Sequence, residues 1–304
     1  MPAHARGAHG QGYRARCREQ DSRRSEPPVG WWIMSASVEV PTQPDAPPPD
    51  PRRRAPGIGT RLVSLVGELC IIAGAVVGLY VVWQLFYTDV VADREQAEVV
   101  EDLDWAYTGA ITAGDVAEDD GPQVIPAELH LSPDTAPVMD EPGFAETFAT
   151  FYVPRWGTDY IKPISQGVTR REVLDVLGIG HYPGTGMPGA YGNFAISAHR
   201  TTYGKPFNRI AELQEGDALV VQTEEAWYVY RVTEHLIVDP SQVEVIAPNP
   251  YDPGAAPDGH YITLTSCHPM YSAAERYIVH GELEYWAPTG NGVPAEILEE
   301  IPQP

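Results

Sequence analysis

A chain of 304 residues with 30 prolines and 28 glycines has room for one compact domain plus extensions rather than for two full cores. Its 20 basic and 42 acidic residues give a net charge of −22, which argues against a nucleic-acid partner, since phosphate affinity rests on clustered cations. Lys162 and Lys205 are the only lysines.

Residues 1–60 are polar and proline-rich, passing through PPPDPRRR, and hold too little apolar area to offset the entropy of ordering. They read as a disordered segment, within which Met34 is an alternative start. From 62 to 86 the only strongly polar residues are Ser64, Glu68 and Gln84. A helix of that length spans roughly 38 Å at about 1.5 Å per residue, against a hydrocarbon core of about 30 Å. We assign 61–87 as a transmembrane helix. Val90-Val91-Ala92 has the small-residue pattern of a signal-peptide cleavage site, but the apolar run is long for such a peptide and starts some 60 residues into the chain. An uncleaved anchor is favoured. Arg52, Arg53, Arg54 and Arg61 precede it and Asp89 and Asp93 follow, which by the positive-inside rule puts the N-terminus in the cytoplasm and the rest outside a cell membrane crossed once.

Residues 88–145 are acidic, with Glu95, Glu98, Glu101, Asp102, Asp104, Glu118, Asp119 and Asp120 against Arg94 as the one basic residue. They read as a solvated extracellular linker, helical at its start; the D-x-D-x-D-G calcium loop is missing. Over 146–288 the texture changes to short β-type runs at 147–153, 161–163, 193–198, 218–223, 227–238, 243–246, 261–267 and 277–285, separated by turn residues. This is the spacing of an all-β barrel or sandwich, interrupted by two short helical pieces at 170–177 and 206–213. The proline-rich tail at 289–304 is expected to fray.

The chemistry centres on 261–269, YITLTSCHP. Its period-2 alternation predicts a strand, and Pro269 stops it because proline cannot donate to a ladder, so Cys267 sits where a strand opens into a loop. Cys17 and Cys70 lie before or inside the apolar segment, leaving Cys267 without a disulfide partner. A lone thiol in an oxidising compartment is either a nucleophile or a small buried apolar residue. A nucleophile needs a base and an oxyanion donor. His199 closes the run NFAISAHR at a second strand end, and Arg276 opens ERYIVHGEL nine residues after Cys267. If those two strands pair, Arg276 returns close to Cys267, where its forked, always charged guanidinium could hold an oxyanion. Arg200, Arg209 and Arg231 are other basic residues of the domain, and Arg276 taken alone also suits a surface ion pair.

His268 adjoins Cys267, but neighbours along a strand point to opposite faces. His181, His235, His260 and His280 suit structural roles, and Cys267, His268 and His280 lack the paired spacing of a zinc site. The GTGMPG at 184–189 spells G-x-G-x-x-G, yet Pro188 and a following strand make it a loop and not a dinucleotide cradle. No metal or cofactor motif is present.

The succession HRTTYGKPF, TLTSCHP and ERYIVHG behind one N-terminal anchor resembles the sortase family, above all the class E sortases of high-GC actinobacteria. The resemblance covers roughly 147–286 plus the anchor, and departs at Ser266, where the family usually has threonine. It implies an eight-stranded β-barrel with short helices, Cys267 as nucleophile, His199 as acid and base, and Arg276 as oxyanion and substrate stabiliser. It further implies cleavage of a C-terminal LAXTG- or LPXTG-like sorting signal on secreted proteins between Thr and Gly through a thioacyl intermediate. The acyl group then passes to an amine of the peptidoglycan precursor. On the same footing Tyr160, Tyr203 and Ser266 are candidates for the signal-binding groove. The alternatives are a hydrolytic cysteine peptidase, which differs only in the fate of the acyl group, and a non-catalytic anchored binding module. An L,D-transpeptidase would set its cysteine in S-H-G-C-x-R, which T-S-C-H-P-M does not match.

Overall fold

The computed structural model of the chain describes residues 57–108 and 123–298. The disordered segment expected before residue 57, part of the acidic linker and residues 299–304 of the tail lie outside them.

Helix α1, Ile58–Val82, runs through a π-helical turn at Trp83–Tyr87 into α2, Thr88–Glu101. No residue of α1 is buried, and at 25 residues it is long and apolar enough to cross a membrane. The apolar helix thus starts a few residues before the expected 61–87, and the last five expected positions form the π turn.

Eight strands follow: β1 Thr147–Tyr152, β2 Ile161–Gln166, β3 Ile179–His181, β4 Gly192–Ser197, β5 Ala218–Gln222, β6 Ala226–Val238, β7 His260–His268 and β8 Glu275–Pro288. They close in the order β1-β2-β3-β4-β7-β8-β6-β5. The expected all-β barrel with short helical turns is what forms. Alternation sets its two faces: Tyr228 and Tyr230 of β6 enter the interior with Phe151, Phe194, Ile262 and Leu264, while Trp227 and Val229 pack outside with Tyr152 and Tyr285. Two of the neighbouring pairs, β2 with β3 and β4 with β7, are parallel. Parallel neighbours end at the same rim, so the residues that follow β4 and those that end β7 emerge side by side.

Five expectations need correction. Val243–Ile246 is a 3₁₀ turn and not a strand; its β-branched residues lie between Pro240 and Pro248 and have no neighbouring edge to join. β3 was not expected, because three residues around Gly180 show no alternation. The helical pieces shrink to a π turn at Arg170–Leu174 and a 3₁₀ turn at Ile210–Glu212. Finally, the acidic linker is no solvated spacer over its described parts. Asp89, Ala92, Gln96 and Val100 form a buried stripe at helical spacing, and Val124 and Leu131 bridge to Val293 and Trp286. Tail residues Val293 and Ile297 are likewise buried in the outer cluster rather than frayed.

Candidate active site

β7 ends with Cys267 and His268, and its antiparallel pairing with β8 sets Cys267 directly opposite Arg276. The parallel pairing of β7 with β4 reaches Ser197 opposite Thr265, and the Ala198 amide still donates to the Thr265 carbonyl at 3.3 Å. His199 therefore leaves β4 beside Cys267 at the same rim. Residues up to 77 positions apart (276 minus 199) are brought to one rim because one parallel and one antiparallel neighbour flank the same strand.

His199 is held from two sides. Its Nε2 lies 2.7 Å from Asp175 Oδ1, with both side chains only 15% exposed, and its ring sits 5.3 Å from that of Tyr203. With Nε2 engaged by the carboxylate, Nδ1 is the nitrogen left to exchange a proton at the site. Asp175 follows the π turn before β3, and nothing in the sequence pattern pointed to it. Arg170 reaches the same carboxylate at 3.5 Å from a largely solvated position.

Arg276 is half-exposed, and its Nη1 donates to the carbonyls of Ala273 at 3.1 Å and Glu275 at 2.9 Å, so the guanidinium rests over its own turn. It also borders a cleft lined by Tyr182, Val243, Ile246, Thr265 and Ile278. The cation buried under the cysteine is instead Arg200, which the sequence offered only as another basic residue of the domain. It is 6% exposed, donates from Nη1 to the Cys267 carbonyl at 3.3 Å and to His268 Nδ1 at 2.8 Å, and stacks 5.3 Å over Tyr277. That bond uses the His268 lone pair and so removes His268 as a base, as its strand position suggested.

The remaining candidates divide. Tyr203 lies against His199, and Tyr160 donates its hydroxyl to the Pro206 carbonyl at 2.8 Å, so both border the 199–207 loop. Ser266 does not face a groove: it is 3% exposed and its hydroxyl donates to the Ala198 carbonyl at 2.9 Å, tying β7 to β4. His181 and His280 are fully buried and hydrogen-bonded inside the barrel wall, and burial pushes His280 down to about 4. A cavity of about 470 Å³ is lined by Trp105, Met139, Phe148 and Tyr228 and touches none of Cys267, His199 and Arg276. Its size reflects a gap between the 137–140 strap and the barrel, not the chemistry.

A closed eight-stranded barrel with a cysteine, a histidine and an arginine at one rim defines the cysteine transpeptidase class. A sortase domain profile matches residues 151–284. Sortase SrtE2 of Streptomyces coelicolor is 36% identical over 258 residues, covering 82% of this chain and 93% of that protein. Sortase SrtE1 of the same organism is 32% identical over 81% of this chain, and the chain spans 64% of that relative's length. Among solved structures, the SrtA sortase from Actinomyces oris is 43% identical, with a TM-score of 0.53 over 56% of this chain and 97% of that one. The chain belongs to the sortase family; it is a sortase-type cysteine transpeptidase, and its likeness to the two E-type enzymes agrees with class E.

Proposed function

We propose that the chain is a membrane-anchored sortase that cuts a C-terminal LAXTG- or LPXTG-like signal between Thr and Gly and joins the secreted protein to a cell-wall amine. The reading rests on one observation, the convergence of Cys267, His199 and Arg276 at the shared end of β4, β7 and β8. The Cys267 thiolate attacks the threonine carbonyl while Arg276 swings from its turn to the developing oxyanion. The carbon–nitrogen bond breaks, and His199 gives its proton to the departing glycine amine. The acceptor amine then attacks the thioester, its proton passes to His199, and the thiolate leaves. The cycle returns both groups to their starting states and consumes no oxidant. Tyr160 and Tyr203 line the signal groove in this reading. Helix α1 anchors the enzyme with its N-terminus in the cytoplasm and the barrel outside, beside substrates that are themselves membrane-held, which raises effective concentration.

The test is to incubate the full chain, with and without Cys267→Ala, with LAXTG and LPXTG peptides in the presence or absence of a glycine-type amine, and to follow products by mass spectrometry. Cleavage after threonine, an adduct on Cys267 and an amine-joined product are expected. Cleavage that survives Cys267→Ala, or none of either peptide, overturns the proposal; release of free acid alone with amine present points to a hydrolase.

A further inference from the structure

The helix that continues the membrane span reaches the loop that carries His199. Asp89, 8% exposed, accepts from the Gly204 amide at 2.9 Å through Oδ1 and pairs with Lys205 at 2.6 Å through Oδ2. Two turns along, the fully buried Gln96 donates to the Tyr203 carbonyl at 3.0 Å. Its side chain is wedged between Gly178 and Gly204; a Cβ on either would lie 2.9 Å and 2.7 Å from it. Those glycines mark the two segments that grip the histidine, the turn bearing Asp175 and the loop bearing Tyr203. The backbone at Tyr203, Gly204 and Lys205 is left-handed at all three positions, with φ of 56°, 74° and 37°. For tyrosine and lysine that conformation is strained and persists only where surrounding contacts fix it. Gly204 and Tyr203 receive those contacts from α2.

We infer that α2 is a built-in part of the active site, with Asp89 and Gln96 acting as positioning residues that hold His199 through the 203–205 loop and the Asp175 turn. The barrel without its stalk would then keep its fold but lose the setting of its histidine. Because α2 continues α1 through a single π turn, the element that fixes the enzyme in the membrane is also the one that fixes the imidazole. The catalytic part of this inference rests on the sortase reading above, whereas the loop-holding part stands independently of it.

The experiment uses the full chain in lipid nanodiscs, with Asp89→Ala, Asp89→Asn, Gln96→Ala and, as a control, Asp93→Ala. Asp93 sits on the same helix but pairs with Lys162 of β2 and not with the loop. Alanine is the best helix former, so each alanine variant keeps the helix, and asparagine replaces an aspartate of similar propensity. Hydrogen exchange over 200–208 should quicken by about fivefold or more in Asp89→Ala and Gln96→Ala, remain near wild type in Asp89→Asn, which keeps an acceptor for Gly204, and be unchanged in Asp93→Ala. Turnover of the sorting peptide should fall by about tenfold or more in the first two with KM within about twofold, since a displacement of about 1 Å costs up to about a hundredfold. Unchanged exchange in those two overturns the inference, as does unchanged turnover or an equal loss in Asp93→Ala. Should the wild-type chain join no peptide while exchange responds as described, the sortase reading fails and the loop-holding role of α2 stands.

Discussion

Removing the carboxylate of Asp175 is the sharpest test of how His199 is held. The bond is 2.7 Å long and both partners are 15% exposed, so solvent screens it little. A hydrogen bond of that kind to a charged group contributes about 1.5–3 kcal/mol. If Asp175→Ala forfeits about 2–3 kcal/mol of histidine placement in the transition state, turnover falls about 30- to 150-fold, at about 1.4 kcal/mol per decade. Asp175→Asn keeps one oxygen that can accept from Nε2, at the risk of presenting its NH₂ instead, and should lose only about tenfold. Arg170→Ala should stay within about twofold, because a largely exposed pair at 3.5 Å carries little. The assay is single-turnover formation of the Cys267 adduct followed by transfer to amine, with the two steps timed separately. In the proposed cycle His199 serves both as acid and as base, so both should slow. A nitrogen chemical-shift measurement on labelled histidine should show the proton on Nε2 in the neutral wild-type ring and a mixed tautomer in Asp175→Ala. If Asp175→Ala transfers within about twofold of wild type, the carboxylate does not orient the ring and the argument fails.

Three further outcomes follow from the same contacts. Arg200→Lys should cost at least about tenfold in turnover, because a lysine lacks the planar guanidinium that stacks on the Tyr277 face while its Nη1 donates to both the Cys267 carbonyl and His268; a thermal melt within a few degrees of wild type separates this from unfolding. Gly204→Ala puts a Cβ 2.7 Å from Gln96 at a φ of +74° and should destabilise by about 1–2 kcal/mol, read as a Tm drop of about 2–8 °C. The third concerns pH. Burial lowers His280 from 6.5 to about 4, so between those values the unfolded chain binds a proton that the folded chain refuses. Stability is full above about 6.5 and falls as pH drops toward 4, by about 2 kcal/mol at pH 5 from this group alone, with His181 adding in the same direction. Urea melts at pH 7 and 5 should show that loss, and His280→Gln should shrink it; an equal loss in the variant would mean that other groups set it.

The strands were legible where burial alternates along a long run. Residues 261–267 read as a strand because Ile262 and Leu264 face the core, and the length of the turn after Pro269 sufficed to bring Arg276 back beside Cys267. His199 was legible for the same reason, as the polar residue at the end of NFAIS. β3 was not, since a three-residue strand with a central glycine has no period to detect. The run at 243–246 failed in the opposite sense: its composition is that of a strand, but no unpaired strand edge lies next to it, and composition cannot supply a partner.

What supports the imidazole was hidden for a different reason. Gln96, Asp175 and Tyr203 lie on a helix, a turn and a loop, and each is an ordinary polar residue until the barrel closes and brings them together. The acidic run around α2 masked its buried face, because charges fill the solvent side of the helix and only every third or fourth residue turns inward. Arg200 stood in the sequence only as another basic residue of the domain, because its burial beneath the strand end that carries Cys267 is set by the closure of the barrel. One trace of this arrangement does survive in the sequence. Gly178 and Gly204 each follow a segment that touches His199, and both are glycines because one glutamine side chain fills the space where their Cβ atoms would be. A substitution at either glycine should therefore disturb the histidine from a position that touches neither the substrate nor the thiol, and Gln96→Gly should partly relieve Gly204→Ala. A double-mutant cycle on turnover that shows simple additivity between Gln96→Gly and Gly204→Ala would refute that coupling.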